Sequence, residues 1–421
     1  MTEMYRDAGA AVRDRVTDLL GRMTLQEKIG QLTQHFYLAG MTRDDLDDDP
    51  DFARQYRQQP EMVEARIRGA RTGSVLFVSD PGIGNRLQRI AVEESRLGIP
   101  LIFGFDVIHG LRTIFPVPIA LAASWDPDLI EHAQTVAARE ARAAGIHWSF
   151  APMVDIARDA RWGRMIEGAG EDPYLGSIVA AAQVRGLQGD LGFDRVAAGV
   201  KHFAAYGAAR GGRDYEEVEV SDSELWNVYL PPFRAAIDAG ALTVMTAYME
   251  LNGVPATGNR WLLRQVLRGD LGFGGVIVSD ANAVLNLETQ HFAADAADAA
   301  RRALRAGVDI EMASFEAAYD TLEESVASGR ADLASIDEAV ARVLTLKMRL
   351  GLFERPYADV SAVADVLGAP AHRDIARSAA ERSLVLLRND GDVLPLGQVS
   401  RLAVIGQLAD SRRDTLGPWV F

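Results

Sequence analysis

The sequence contains no cysteine in 421 residues. That excludes a disulfide framework, a thiolate nucleophile and a zinc ribbon, and leaves packing as the source of stability. Basic charge is also short: 44 Lys and Arg stand against 59 Asp and Glu, for a formal net charge of −15 and a pI near 5.0. Nucleic-acid binders need basic faces that displace counterions, so no nucleic-acid partner is expected. Only seven histidines occur, none in an H-E-x-x-H or similar ligand spacing, so no metal is expected. No run approaches the ~20 apolar residues of a membrane helix, and no membrane span is expected. The N-terminus carries Glu3, Arg6, Asp7, Arg13 and Asp14 without a signal-peptide core, so the chain as written reads as cytoplasmic; a different start would allow a periplasmic or secreted protein. Gly82-Ile83-Gly84-Asn85-Arg86-Leu87 lacks the third glycine of a dinucleotide fingerprint, and Gly211-Gly212 is not followed by Lys and Ser or Thr. No cofactor is expected. The acidic run at 44–49 lacks the glycine and terminal glutamate of a calcium loop and reads as a solvated connection.

What is present is apolar bulk, 48% of residues, enough for a large core in a chain too long for one average domain. Short apolar runs alternate with Ala-rich amphipathic segments, the pattern of parallel β/α architecture. Strands are expected at 74–78, 99–103, 146–150, 197–200, 241–246, 275–278 and 308–310, with helices at 127–144, 171–187, 221–239, 259–267 and 293–306. Several runs end in polar groups: Asp106 after Phe105, Lys201 and His202 after Val200, Tyr248 after Ala247, and Asp280 after Ser279. A barrel gathers such groups at the carboxyl ends of its strands, although an open doubly wound sheet would show a similar pattern. Near Gly351-Leu352-Phe353-Glu354-Arg355-Pro356 the pattern changes. The expected organisation is a barrel domain over 1–355, a linker over 356–372 and the incomplete start of a second α/β domain over 373–421. That start would hold a helix at 373–382 and strands at 383–387 and 402–405, too little to bury its own core.

Asp280 sits in a strand-to-helix turn, where a carboxylate either caps the next helix or faces a ligand in the barrel mouth. Lys201 is open to three readings: Schiff-base nucleophile, hydrogen-bond donor or ion-pair partner. The stretch from Asp155 to Arg164 packs charges around Trp162-Gly163. Its arginines suit forked donation to hydroxyls or an Arg-carboxylate network that holds the loop.

Six motifs occur together and in order: Asp106-Val107-Ile108-His109-Gly110-Leu111-Arg112-Thr113-Ile114-Phe115-Pro116, Arg161-Trp162-Gly163-Arg164, Lys201-His202-Phe203, Gly211-Gly212-Arg213-Asp214-Tyr215, Leu251-Asn252-Gly253-Val254-Pro255 and Ile277-Val278-Ser279-Asp280. In this the chain closely resembles family 3 glycoside hydrolases of the bacterial β-glucosidase and xylosidase branch. The resemblance implies a (β/α)8-type TIM barrel followed by an α/β sandwich, and a retaining, exo-acting reaction on the nonreducing terminal sugar of a β-linked oligosaccharide or an aryl or alkyl glycoside. It implies Asp280 as the nucleophile that forms a covalent glycosyl-enzyme. Asp106 would accept hydrogen bonds from the O4 and O6 hydroxyls, Arg164, Lys201 and His202 would meet the other hydroxyls, and Arg112, Met245 and Tyr248 would line the same subsite. β-Glucosidase is the first reading. Alternatives are a β-xylosidase, a sugar-binding fragment without turnover, and a barrel aldolase using Lys201.

Retaining hydrolysis needs a second carboxyl roughly 5–5.5 Å from the nucleophile. In the resembling branch it is a glutamate of the second domain, which would lie beyond Phe421. The hexosaminidase branch uses a histidine in K-H-F-P-G-H-G, where this chain reads Lys201-His202-Phe203-Ala204-Ala205-Tyr206-Gly207. Glu167, Glu171 and Glu216 are near in sequence and are not assigned the role. The expected partner is therefore a C-terminal domain or second chain that supplies the acid/base; a homo-oligomer is also allowed. An activated aryl glycoside needs little acid assistance. Turnover by these residues alone should therefore rise steeply with leaving-group acidity across a series of aryl and alkyl glycosides; equal rates would contradict the missing acid.

Overall fold

The computed structural model describes residues 3–39 and 50–420, and the acidic run at 44–49 lies outside them. Eight parallel strands form one sheet: β1 (Thr33–Phe36), β2 (Ser74–Leu76), β3 (Ile102–Phe105), β4 (Trp148–Ser149), β5 (Ala197–Phe203), β6 (Thr243–Thr246), β7 (Val276–Val278) and β8 (Glu311–Ala313). The order is β8-β1-β2-β3-β4-β5-β6-β7, and the two end strands meet through a parallel bridge between Val278 and Ile310. The sheet is thus closed, with helices on its outside, which is the expected TIM barrel and excludes the open sheet.

Local sequence explains the crossover helices. Three of them, Pro81–Arg89, Pro127–Ala143 and Pro173–Gln188, begin with Asp-Pro. In each, the aspartate side chain accepts the N–H of a first-turn residue, and the proline occupies the first helical position, where its missing N–H costs nothing. Inside the barrel, glycines make room for aromatic side chains. A Cβ on Gly104 would stand 2.9 Å from the Phe150 ring, and one on Gly199 would stand 3.0 Å from Trp148 Nε1. That indole N–H donates to Thr243 Oγ1 at 2.7 Å, so the large interior ring is also satisfied.

Several expectations shift. β1 escapes a hydrophobicity reading because Thr33, Gln34 and His35 are polar yet buried. β3 and β8 lie two to three residues later than the apolar runs suggest, and Ile310 belongs to the closing bridge. The helix expected over 221–239 is interrupted at Leu230, before Pro231 and Pro232. The helix near 373–382 is present as Pro370–Arg382. The strands expected at 383–387 and 402–405 are not formed: neither segment joins a sheet among the described residues, and Leu387 and Ile405 are each 91% exposed. An apolar run becomes a strand only where a partner takes its backbone bonds.

At the amino ends of the strands, Lys347 is fully buried. Its ammonium donates to Gln31 Oε1 and to the carbonyls of Gly73 and Pro100 at 2.6–2.8 Å, which lie just before β1, β2 and β3. Lys347→Met would strand the Gln31 and Pro100 acceptors and leave the Gly73 carbonyl with the Ile102 N–H alone, and should cost about 2–4 kcal/mol. Urea unfolding of the two proteins checks this, and a loss below about 1 kcal/mol would contradict it.

Candidate active site

Asp280 lies two residues past β7, at the carboxyl end of the barrel. Its side chain accepts from the adjacent Ala281 N–H at 2.7 Å, and the next helix, Asn286–Thr289, starts after Leu285. The helix-cap reading of Asp280 therefore falls away. Burial pushes its carboxyl above the usual range, while the charges of Lys201 and Arg164 pull the other way.

Across the mouth, Asp106 directly follows β3 and Lys201 stands in β5. Lys201 Nζ meets Asp106 Oδ1 at 2.7 Å, both side chains almost wholly buried, and lies 4.8 Å from the centre of the Trp419 ring. An amine engaged by a carboxylate and an indole face is a binding group rather than a free nucleophile, which removes the aldolase reading's main support. The neighbouring His202 turns its Nε2 towards Asp280 Oδ2 at 3.5 Å and Arg164 Nη2 at 3.1 Å, while Nδ1 meets Asp155 Oδ2 at 2.8 Å. Burial, then the charges of Arg164 and Lys201, hold this imidazole well below its usual pKa, so it is neutral.

Arg164 lies in the short helix Gly163–Glu167, which follows the Trp162 turn. Its Nε and Nη2 donate to the two oxygens of Glu167 at 2.9 and 3.1 Å. The two arginines of the turn thus divide the roles: Arg161 pairs with Asp159 on the surface, and Arg164 points into the site. Burial would raise the Glu167 carboxyl, but Arg164 holds it below the usual range. A carboxylate so committed makes a poor proton donor. Glu171 is exposed, and Glu216 is half-buried and pairs with Arg213.

Met245 is buried on β6, and Tyr248 follows that strand with its ring 5.2 Å from Tyr215 and 6.4 Å from Tyr206. Arg112 stands apart. Its side chain is exposed, its backbone N–H donates to Glu140 Oε2 at 2.9 Å, and it makes no side-chain hydrogen bond among the described residues. The structure therefore brings together Asp106, Arg164, Lys201, His202, Met245, Tyr248 and Asp280, and leaves Arg112 outside the cluster. Four residues at the site were not read from the sequence as part of it. Glu167 holds Arg164 and Asp155 backs His202, while Tyr206 and Tyr215 edge the mouth. Asp155 opened the charged stretch around Trp162 and Glu167 stood among the nearby carboxylates, while Tyr215, 62% exposed with φ +67°, carried its signal as an aromatic side chain directly after a charged glycine turn.

The segment from Gly417 to Trp419 also reaches this face: the Pro418 carbonyl lies 2.6 Å from His109 Nε2, and Trp419 covers Lys201. A 620 Å³ cavity at the opposite end, beside Leu242, Phe273 and Arg342, shares no residue with the cluster. Chemically, the cluster is a hollow of fixed donors and acceptors around one carboxylate. That suits a neutral polyhydroxyl ligand, whose hydroxyls both donate and accept.

Comparison with known proteins agrees. The profile of the glycosyl hydrolase family 3 N terminal domain matches residues 24–346. The chain is 41% identical over 412 residues to a periplasmic β-glucosidase of Salmonella typhimurium, covering 96% of this chain and 51% of that protein. A β-xylosidase of Formosa agariphila is 39% identical over 353 residues, covering 78% and 49%. Among solved structures, a β-glucosidase from Listeria innocua in complex with glucose superposes with a TM-score of 0.83 at 39% identity, covering 91% of this chain and 53% of that one. A mutant of the Listeria enzyme in complex with laminaribiose gives 0.83 at 40%, with the same coverage. The chain thus spans about half the length of these relatives. By its profile match, its relatives and its closed barrel, the chain belongs to glycosyl hydrolase family 3.

Proposed function

We propose that the chain carries the nucleophile and most of the sugar subsite of a retaining exo-β-glycosidase, with a terminal β-glucosyl residue as the preferred substrate. The observation that supports this most is the position of Asp280: a nearly buried carboxylate without a capping role, facing His202, Arg164 and Tyr248 across the barrel mouth. In this reading the sugar's hydroxyls meet the Asp106–Lys201 pair, His202 and Arg164. The Asp280 carboxylate attacks the anomeric carbon as the C–O bond to the leaving group breaks, and water then hydrolyses the glycosyl ester. Relatives that bind glucose and laminaribiose favour glucose over xylose.

No carboxylate of the cluster is free to be the acid. Glu167 is held by Arg164, Asp106 by Lys201 and Asp155 by His202. We assign proton donation to a group outside the cluster, from a C-terminal domain or a second chain, with the barrel over 1–355 and a linker over 356–372. The periplasmic name of the Salmonella relative supports a periplasmic placement over a cytoplasmic one.

With an activated aryl β-glucoside, Asp280→Ala should reduce leaving-group release by at least about 10³-fold, since the covalent step loses its nucleophile. Rapid-quench kinetics and mass spectrometry of the trapped protein check this; a labelled residue other than Asp280 would sink the assignment. The attacking carboxylate must be ionised, and its pKa is raised in the fold. Activity should therefore fall with decreasing pH through a midpoint above the ordinary aspartate value of about 3.9. A pH–rate profile whose acid limb lies at or below that value would contradict it.

A further inference from the structure

Asp155 lies behind His202, on the side away from Asp280. Its side chain is wholly buried, and one oxygen, Oδ2, takes both the backbone N–H of His202 at 3.0 Å and the ring Nδ1 at 2.8 Å. The other oxygen, Oδ1, has no partner among the described residues. On the far side of the ring, Nε2 lies 3.1 Å from Arg164 Nη2. A guanidinium only donates, so Nε2 must offer its lone pair. The ring proton is then on Nδ1, where Asp155 Oδ2 accepts it. A proton on Asp155 would have to sit on Oδ1, which has nothing to donate to. The geometry thus selects a neutral imidazole and one tautomer, while burial pushes the Asp155 carboxyl up to about 7 against the opposing pull of the His202 N–H and the Arg164 charge.

The consequence reaches the nucleophile. Arg164 is forked between Glu167 and His202 Nε2, and Nε2 is 3.5 Å from Asp280 Oδ2. A ring flipped to the other tautomer would set an N–H against the Nη2–H of Arg164 and release that end of the fork. We infer that Asp155 is a positioning residue for this site: by holding the proton of His202 on Nδ1, it keeps the Nε2 lone pair on Arg164 and so fixes the guanidinium beside Asp280. It touches neither sugar nor reacting atoms. The orienting carboxylate behind a catalytic histidine is a known arrangement elsewhere, and here it would serve binding geometry rather than proton transfer. This inference rests on the proposed glycosidase reading for its kinetic effect, but not for its ring chemistry.

The test uses the full chain with Asp155→Ala and Asp155→Asn. Heteronuclear NMR of the imidazole nitrogens, with His202 assigned by its loss in His202→Gln, should show the wild-type ring protonated on Nδ1 and bare on Nε2. Asp155→Ala should lose that fixed tautomer and slow the burst from an aryl glucoside by about 10- to 100-fold, as small displacements of a site group do. Asp155→Asn, whose amide oxygen can take the place of Oδ2, should recover most of both readouts; a packing role would predict no such rescue of the tautomer. A wild-type ring protonated on Nε2, or a folded Asp155→Ala with unchanged spectrum and burst, overturns the inference. The wild-type spectrum needs no variant, so it decides even if Asp155→Ala fails to fold. Absence of any burst from the wild type would count against the glycosidase reading and leave the spectrum to judge Asp155.

Discussion

Closure of the barrel between β7 and β8 is the constraint on which the site depends. Asp280 follows β7, one of the two strands that would otherwise be an edge, and an edge strand is free to twist and slip. The seam is held on several levels. Backbone N–H groups of Asp309 and Ile310 both donate to the Ile277 carbonyl, Ser279 N–H to Ile310, and Asn282 N–H to Met312. The Ser279 hydroxyl oxygen accepts the Met312 N–H at 3.0 Å, next to Asp280. Beneath these, the buried Asp309 carboxylate accepts from Ile277 N–H and from Arg268 and Arg342. Burial alone would push that carboxyl up strongly, and the two guanidinium groups offset part of the rise. A single ion cluster thereby joins the seam to the outer helix Leu333–Arg349.

The mouth carries a similar electrostatic arrangement with a different result. Asp106 and Asp155 are matched to donors from another part of the chain, Lys201 and His202, and Glu167 to Arg164 of its own short helix. Asp280 is left with weaker partners. A buried carboxylate in that position is costly to keep ionised, which is why its pKa rises. In the proposed reaction positive charge develops at the anomeric carbon, directly in front of it. The arrangement thus spends stability on a carboxylate whose best partner is the transition state.

Much of this was readable because it is local. Apolar runs of strand length and the polar groups at their ends act within a few residues of themselves, so a parallel β/α sheet with a polar rim was readable from spacing, while the choice of a barrel over an open sheet came from the family resemblance. The exceptions have physical causes too. β1 is polar and only partly partnered: the Thr33 hydroxyl donates to the Ile29 carbonyl at 3.1 Å and His35, held neutral by burial, shares Thr72 Oγ1 through Nδ1 at 2.9 Å, while the Gln34 amide and His35 Nε2 have no partner among the described residues. Two apolar runs near the C-terminus looked like strands and are not, because sheet formation requires neighbours that pattern alone does not supply.

Sequence by itself determined which residues carry chemistry, since carboxylate, imidazole and guanidinium groups keep their properties wherever the chain places them. Tertiary structure decided whom they face. The partner that sets the proton of His202 is 47 residues away, and the carbonyl at His109 Nε2 is 309 residues away. Arg112, within six residues of Asp106, is turned to the surface. Such pairings follow from the closure and register of eight strands, a long-range condition that no short stretch of sequence contains.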